Sequence, residues 1–66
     1  MIGEIISGYK IIGNINDCVV LAYNPKAVEP WVVWWIDRTG SPYSGSYFSN
    51  RESAANEFIL RGSFTQ

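Results

Sequence analysis

The chain has no histidine, one cysteine and no run of like charges, and each lack removes a class of chemistry. Without histidine no side chain has an unperturbed pKa near neutrality, so neither a Ser-His nor a Cys-His nucleophile can be assembled. Cys18 alone cannot close an internal disulfide, so folding does not depend on an oxidising compartment. One cysteine and scattered carboxylates do not make a closed metal site, and neither a metal nor a cofactor is expected. The five cations, Lys10, Lys26, Arg38, Arg51 and Arg61, are dispersed among six acidic residues for a formal net charge of -1. Phosphate-backbone binding rests on clustered cations that release counterions, so no nucleic-acid footprint is expected. No apolar run exceeds six residues, against ~20 for a bilayer span. The N-terminus lacks the basic and apolar regions of a secretory signal, which makes the cytoplasm the expected location.

Large packing groups are what the chain does have. It is 66 residues long, 47% hydrophobic and 15% aromatic, which is enough for one small domain over residues 1–66. The densest stretch is Trp31-Val32-Val33-Trp34-Trp35-Ile36, between Pro30 and Asp37, and its size and composition predict a central strand. Alternation puts Trp31, Val33, Trp35 and Asp37 on one face and Val32, Trp34 and Ile36 on the other. Both faces are apolar. If one helix covers the Trp34 face, the Trp31-Val33-Trp35 face is left uncovered.

Other elements follow from local signals. Met1 to Gly8 fits either a helical turn or a ragged first strand. Tyr9 to Ile15 reads as a strand with Tyr9, Ile11, Gly13 and Ile15 on one face and Lys10, Ile12 and Asn14 on the other. Asn16-Asp17, two residues that tolerate left-handed geometry, turns it into a strand over Cys18 to Tyr23. The two prolines in Asn24 to Pro30 make a loop. Asp37 to Pro42 is a turn, and Tyr43 to Phe48 returns as a strand in which Gly45 marks a bulge or a close backbone approach. Ser49-Asn50-Arg51-Glu52 matches a capping box, which predicts a helix to about Arg61. Its apolar stripe is Ala55, Phe58, Ile59 and Gly62, flanked by Ala54 and Leu60. Residues 63–66 are expected to fray. The fold class is α+β: a three- to four-stranded antiparallel meander with one C-terminal helix packed on one face.

Candidate chemistry is sparse. Asp17 and Asp37 both fall near strand ends and are the one carboxylate pair available for glycosidase-type chemistry, but each is also a natural turn residue. Cys18 reads as a small hydrophobe in a strand. Gly40-Ser-Pro-Tyr-Ser-Gly45 has the outer spacing of a phosphate loop, but Ser46 and Tyr47 stand where Lys and Ser or Thr are required. Trp31, Trp35, Tyr43 and Tyr47 could stack single-stranded bases, without the cationic groove such readers use. The reading that uses what is present is protein binding. Rigid aromatics and Arg dominate interface hot spots, and Trp31, Val33, Trp35, Arg38 and Tyr43 form the predicted partner-binding set. A homo-oligomeric module that buries the same face is the second reading.

From Pro30 onward, Pro-Trp-Val-Val-Trp-Trp-Ile-Asp, then Gly40, Gly45-Ser-Tyr-Phe, and finally Ala54 or Ala55, Phe58 and Arg61, resembles small uncharacterised accessory domains of bacterial phages and conjugative elements. Those domains carry a P-aromatic-V-x-W-x-hydrophobic-D strand, G-x-Y and a short A-x-x-x-F-x-x-R helix. The resemblance extends partly to the Tyr9–Tyr23 hairpin. In that pattern the positions of Val33 and Trp35 are usually polar, so the apolar pair here suggests a face adapted to bury against something. The resemblance implies a non-enzymatic inhibitor of a host defence complex in a bacterial cytoplasm, anti-CRISPR proteins being one such class, acting by surface occlusion. It carries over no catalytic residue.

Overall fold

The computed structural model describes residues 1–65. Five strands form one antiparallel sheet in chain order: β1 (Ile5–Ile6), β2 (Tyr9–Ile15), β3 (Val19–Tyr23), β4 (Trp31–Ile36) and β5 (Pro42–Phe48). One helix, α1 (Arg51–Gly62), follows. The α+β class and the antiparallel meander are as the sequence indicates, with one more strand than expected. The extra strand comes from Met1 to Gly8. Ser7 and Gly8 both adopt positive φ, which suits a two-residue hairpin turn, and the chain folds back so that Gly3 N–H donates to Ile11 O and Ile11 N–H to Glu4 O, both at 2.8 Å. Asn16 and Asp17 make the next turn with φ of 52° and 56°.

Two bulges shape the sheet. In β2 the register passes from Ile11↔Ala22 to Gly13↔Leu21, leaving Ile12 as the extra residue. The strand therefore does not keep one alternation: Ile11 packs with Trp34, while Gly13 and Ile15 lie opposite Leu21 and Val19 on the other face. In β5 the register slips between Val33↔Ser46 and Trp35↔Tyr43. Ser44 takes φ 53° there, and a Cβ on Gly45 would lie 2.7 Å from Cδ1 and Nε1 of Trp34. Gly45 thus serves both a bulge and a close approach. Bulges increase local twist and bend the strand that carries them.

The curl covers one apolar face. Tyr9 on β2 and Tyr47 on β5 are separated in the sheet by β3 and β4, a distance of roughly 14 Å if the sheet were flat. Their rings are 5.9 Å apart, and Tyr9 also meets Trp34 edge-on at 5.8 Å. Ile11, Val20, Ala22, Val32, Trp34 and Ile36 are buried beneath this arch, with Met1 and Ile6 packed against them. The sheet covers its own Trp34 face, and the helix lies on the other one. Val19, Val33 and Ala54 form the second core, flanked by Leu21, Trp31, Trp35, Phe48 and Phe58. The expectation of an uncovered Trp31-Val33-Trp35 face is therefore corrected.

Helix α1 begins one residue later than the capping box implies. The cap is Asn50, whose Oδ1 accepts from Ser53 N–H at 2.8 Å, and Glu52 sits in the first turn near the positive end of the helix dipole. Its buried stripe is also rotated from the expected one. Ala54 and Arg61 are buried and Phe58 lies against Gly13, whereas Ile59 and Leu60 are exposed. Arg61 causes the rotation. Only 7% exposed, it donates from Nη1 to Ser44 O at 2.8 Å and Val33 O at 3.3 Å, from Nη2 to Ser46 Oγ at 2.7 Å, and from Nε to Glu57 Oε2 at 2.7 Å. Carbonyls released by the β5 bulge find their donors in this one side chain. Beyond the helix, Ser63 and Phe64 form a turn. Ser63 N–H bonds Ile59 O, Thr65 N–H bonds Gly62 O, and Asn16 Nδ2 donates to Thr65 Oγ1. Residue 66 lies outside the described residues.

A lysine keeps the charge but lacks the planar fork, so Arg61→Lys cannot pair the buried Val33 O, the part-buried Ser44 O and Ser46 Oγ together. Urea unfolding should show a loss of about 2–4 kcal/mol, a large part of the roughly 3–10 kcal/mol expected for a domain of this size; a loss below about 0.5 kcal/mol would show the fork to be dispensable. Gly45→Ala forces Trp34 to move and should cost about 1–3 kcal/mol by the same assay, with a shift in tryptophan emission. Unchanged stability and emission would contradict the packing described.

Candidate functional site

The five residues predicted to bind a partner do not form one surface. Trp31 opens β4 half-buried, its ring 4.2 Å from that of Tyr23 and tilted by 37°. Val33 is fully buried in the core that includes Ala54, which excludes it as a contact residue. Trp35 is half-buried and has the Arg61 guanidinium 5.4 Å from its ring centroid, a cation–π distance. Tyr43 stands opposite Trp35 in the β4/β5 register and is 51% exposed. Arg38 is exposed in the turn that joins the same two strands. The structure therefore brings Trp35, Arg38 and Tyr43 to one hairpin end, leaves Trp31 under the start of the helix face, and removes Val33 to the core.

The same correction applies to base stacking. Of Trp31, Trp35, Tyr43 and Tyr47, only the two tyrosines are exposed. The β5 bulge changes their parity. Tyr43 pairs with Trp35 on the helix face and Tyr47 with Val32 on the arch face, so they do not make one platform.

At this end the β2–β3 and β4–β5 turns meet the N-terminal segment around a cleft of about 600 Å³. Met1, Cys18 and Ile36 supply apolar lining, Glu4, Asp17 and Asp37 supply carboxylates, and Arg38, Thr39 and Gly40 complete it. Asp17 and Asp37, the one carboxylate pair noted in the sequence, thus border the same space, but both are turn residues. Asp17 Oδ1 accepts from Asn14 Nδ2 at 2.8 Å while Asp17 N–H donates to Asn14 Oδ1 at 3.0 Å. Asp37 Oδ1 accepts from Thr39 Oγ1 at 2.7 Å and from the N–H groups of Thr39 and Ser41, both at 2.9 Å. The Thr39 hydroxyl, then the Ser41 N–H, hold the Asp37 carboxyl below the usual aspartate range, since a hydrogen bond to the charged form favours it.

Cys18 lies just before β3 and is half-buried at the cleft, a correction to its expected place inside the strand. Gly40 falls in the β4–β5 turn and Gly45 in the β5 bulge, so the spacing between them cradles nothing in common. Among the described residues no three His, Cys, Asp or Glu side chains group as metal ligands, and no helix is long and apolar enough to cross a membrane. Charge and apolar patterning did not single out Arg61. The signal for it was positional: Ala54, Phe58 and Arg61 at i, i+4 and i+7 share one helix stripe.

No family model, curated protein or solved structure matches the chain. What can be stated of class is a five-stranded antiparallel meander, curled over one face and closed on the other by a C-terminal helix.

Because Asp37 titrates lower in the folded chain than unfolded, its contribution to stability is present above the ordinary value of 3.8 and is lost as pH falls below it through the folded pKa. Asp37→Asn should remove that acid-limb slope from the stability profile measured between pH 2 and pH 6, which are about two units either side of the ordinary value. A profile with the same slope in both proteins would contradict the assignment.

Proposed function

We propose that this chain is a non-enzymatic protein-binding module whose contact surface is the β4–β5 hairpin end, centred on Tyr43 and Arg38 with the exposed edge of Trp35. The observation that carries this reading is their juxtaposition: an exposed tyrosine beside a tryptophan backed by a buried guanidinium, next to an arginine with no ion-pair partner among the described residues. Rigid rings on an ordered hairpin lose little entropy on binding, which is why Tyr, Trp and Arg concentrate at hot spots. The resemblance of Pro30 to Arg61 to accessory domains of phages and conjugative elements directs the search for the partner to host defence complexes, which such a module inhibits by occlusion. Self-association is the second reading, and Ile59, Leu60 and Phe64, at 65%, 54% and 71% exposure, are the apolar residues that favour it.

Trp35→Lys does not test the surface, because a second cation beside Arg61 destabilises the core. Tyr43→Ala combined with Arg38→Glu leaves both cores intact. A defence-complex subunit retained by the wild-type domain should be bound at least about tenfold more weakly by this variant, with an unchanged unfolding midpoint, as expected when a hot-spot pair is removed. Equal binding by both proteins would move the contact surface elsewhere. A concentration-dependent dimer mass that Leu60→Lys abolishes would favour self-association.

A further inference from the structure

The two cores are closed in different ways. Ile11, Val20, Ala22, Val32, Trp34 and Ile36 are buried by strands alone, and the ladders that hold those strands do not involve α1. The second core needs the helix, which gives it little apolar anchorage. Ala54 is the only apolar residue of α1 that is fully buried, Phe58 is half-buried against Gly13, and Ile59 and Leu60 are exposed. Much of the remaining attachment is polar. Arg61 donates to Val33 O, Ser44 O and Ser46 Oγ, and Asn16 Nδ2 donates to Thr65 Oγ1 at 2.9 Å on the surface. Polar attachment is costly to mutate but less costly to release whole. A substitution at position 61 leaves Val33 O buried without this donor, whereas withdrawal of the helix gives the guanidinium and its acceptors to water together. An isolated helix of 12 residues is marginal in water, so α1 does not persist once undocked. Its release and its melting are one step.

We propose that α1 is a detachable cover: it undocks and melts as one cooperative unit while the arch core stays folded, and this open state exposes Val19, Val33, Trp31 and Trp35 to water. Cooperative units of this kind open at a lower free energy than the global transition and coincide with structural elements. The arch core keeps its own cover, because Tyr9 reaches Trp34 and Tyr47 on the face away from the helix. Opening requires no partner and stands apart from the contact surface at the hairpin end.

The test is native-state hydrogen exchange of the full chain at urea concentrations below the unfolding transition. The probes are the backbone amides of Phe58 and Leu60, the Nε–H of Arg61, and the amides of Val20 and Trp34, which face each other in the middle of the sheet. The two helix amides and the Arg61 Nε–H should share one opening free energy and one urea slope. Their opening should be at least about tenfold more populated than that of Val20 and Trp34, with the smaller slope that a smaller exposed surface gives. Two variants separate undocking from global unfolding. Ile11→Val, in the arch core, should speed exchange at Val20 and Trp34 by about three- to tenfold and leave the helix probes unchanged. Phe58→Leu should speed both sets by the same factor, because loss of helix docking is common to both transitions. A single free energy and slope for every probe would overturn the proposal, as would acceleration of the helix probes by Ile11→Val. So would an Arg61 Nε–H that exchanges with Val20 and Trp34 while the amides of Phe58 and Leu60 exchange faster, since the helix would then fray around an anchored guanidinium.

Discussion

The fork of donors on Arg61 is the constraint on which the arrangement of the chain depends. A bulge in β5 releases backbone carbonyls that a regular ladder would have paired, and a buried unpaired carbonyl is costly. One guanidinium from the last turn of α1 bonds Val33 O, Ser44 O and Ser46 Oγ together, with Glu57 holding the remaining Nε–H. The bond set fixes the rotation of the helix, its position over Val33 and the path of β5. It also brings a cation beneath Trp35. No apolar residue at position 61 satisfies those carbonyls, and lysine lacks the geometry.

From that constraint follows a sheet with two cores in 66 residues. A central strand with Val32, Trp34 and Ile36 on one side and Trp31, Val33 and Trp35 on the other needs cover on both, and a helix of 12 residues supplies one. The remaining cover is the curl of the sheet, with Tyr9 bridging Trp34 and Tyr47 across strands that a flat sheet would keep apart. Tyr9 sits in this arch with its hydroxyl donating to Glu29 O at 3.0 Å, and burial, then Tyr47 and Glu29, push its pKa up. The aromatic content is thus spent largely on closure, and the exposed side chains of Arg38 and Tyr43 lie where the turns meet.

Strand and turn positions were legible because each rests on local chemistry. Trp31–Ile36 is bounded by Pro30 and Asp37, and Asn16-Asp17 accepts the positive φ of the turn. Which face the helix covers was not legible, because alternation separates two faces but does not rank them when both are apolar. The bulges at Ile12 and Ser44 each shift parity by one residue, so a uniform alternation assigned Ile11 to the face of Gly13 and would put Tyr43 and Tyr47 on the same side. Ser49 and Asn50 are both competent caps, and one residue of loop geometry decides between them. The cleft was legible only as its parts, since Glu4, Asp17 and Asp37 are distant in sequence and come to border one space only through the order of the strands.

The most direct test of the account is the Nε–H resonance of each of the three arginines in a 15N–1H spectrum, followed by its exchange with water. Arg38 and Arg51 lie exposed and Arg61 is buried, so the account predicts two fast-exchanging signals and one protected signal that disappears in Arg61→Lys. Three signals exchanging at the same rapid rate would mean that Arg61 is not held between α1 and the β5 bulge, and the Trp31-Val33-Trp35 face would again be free to bind.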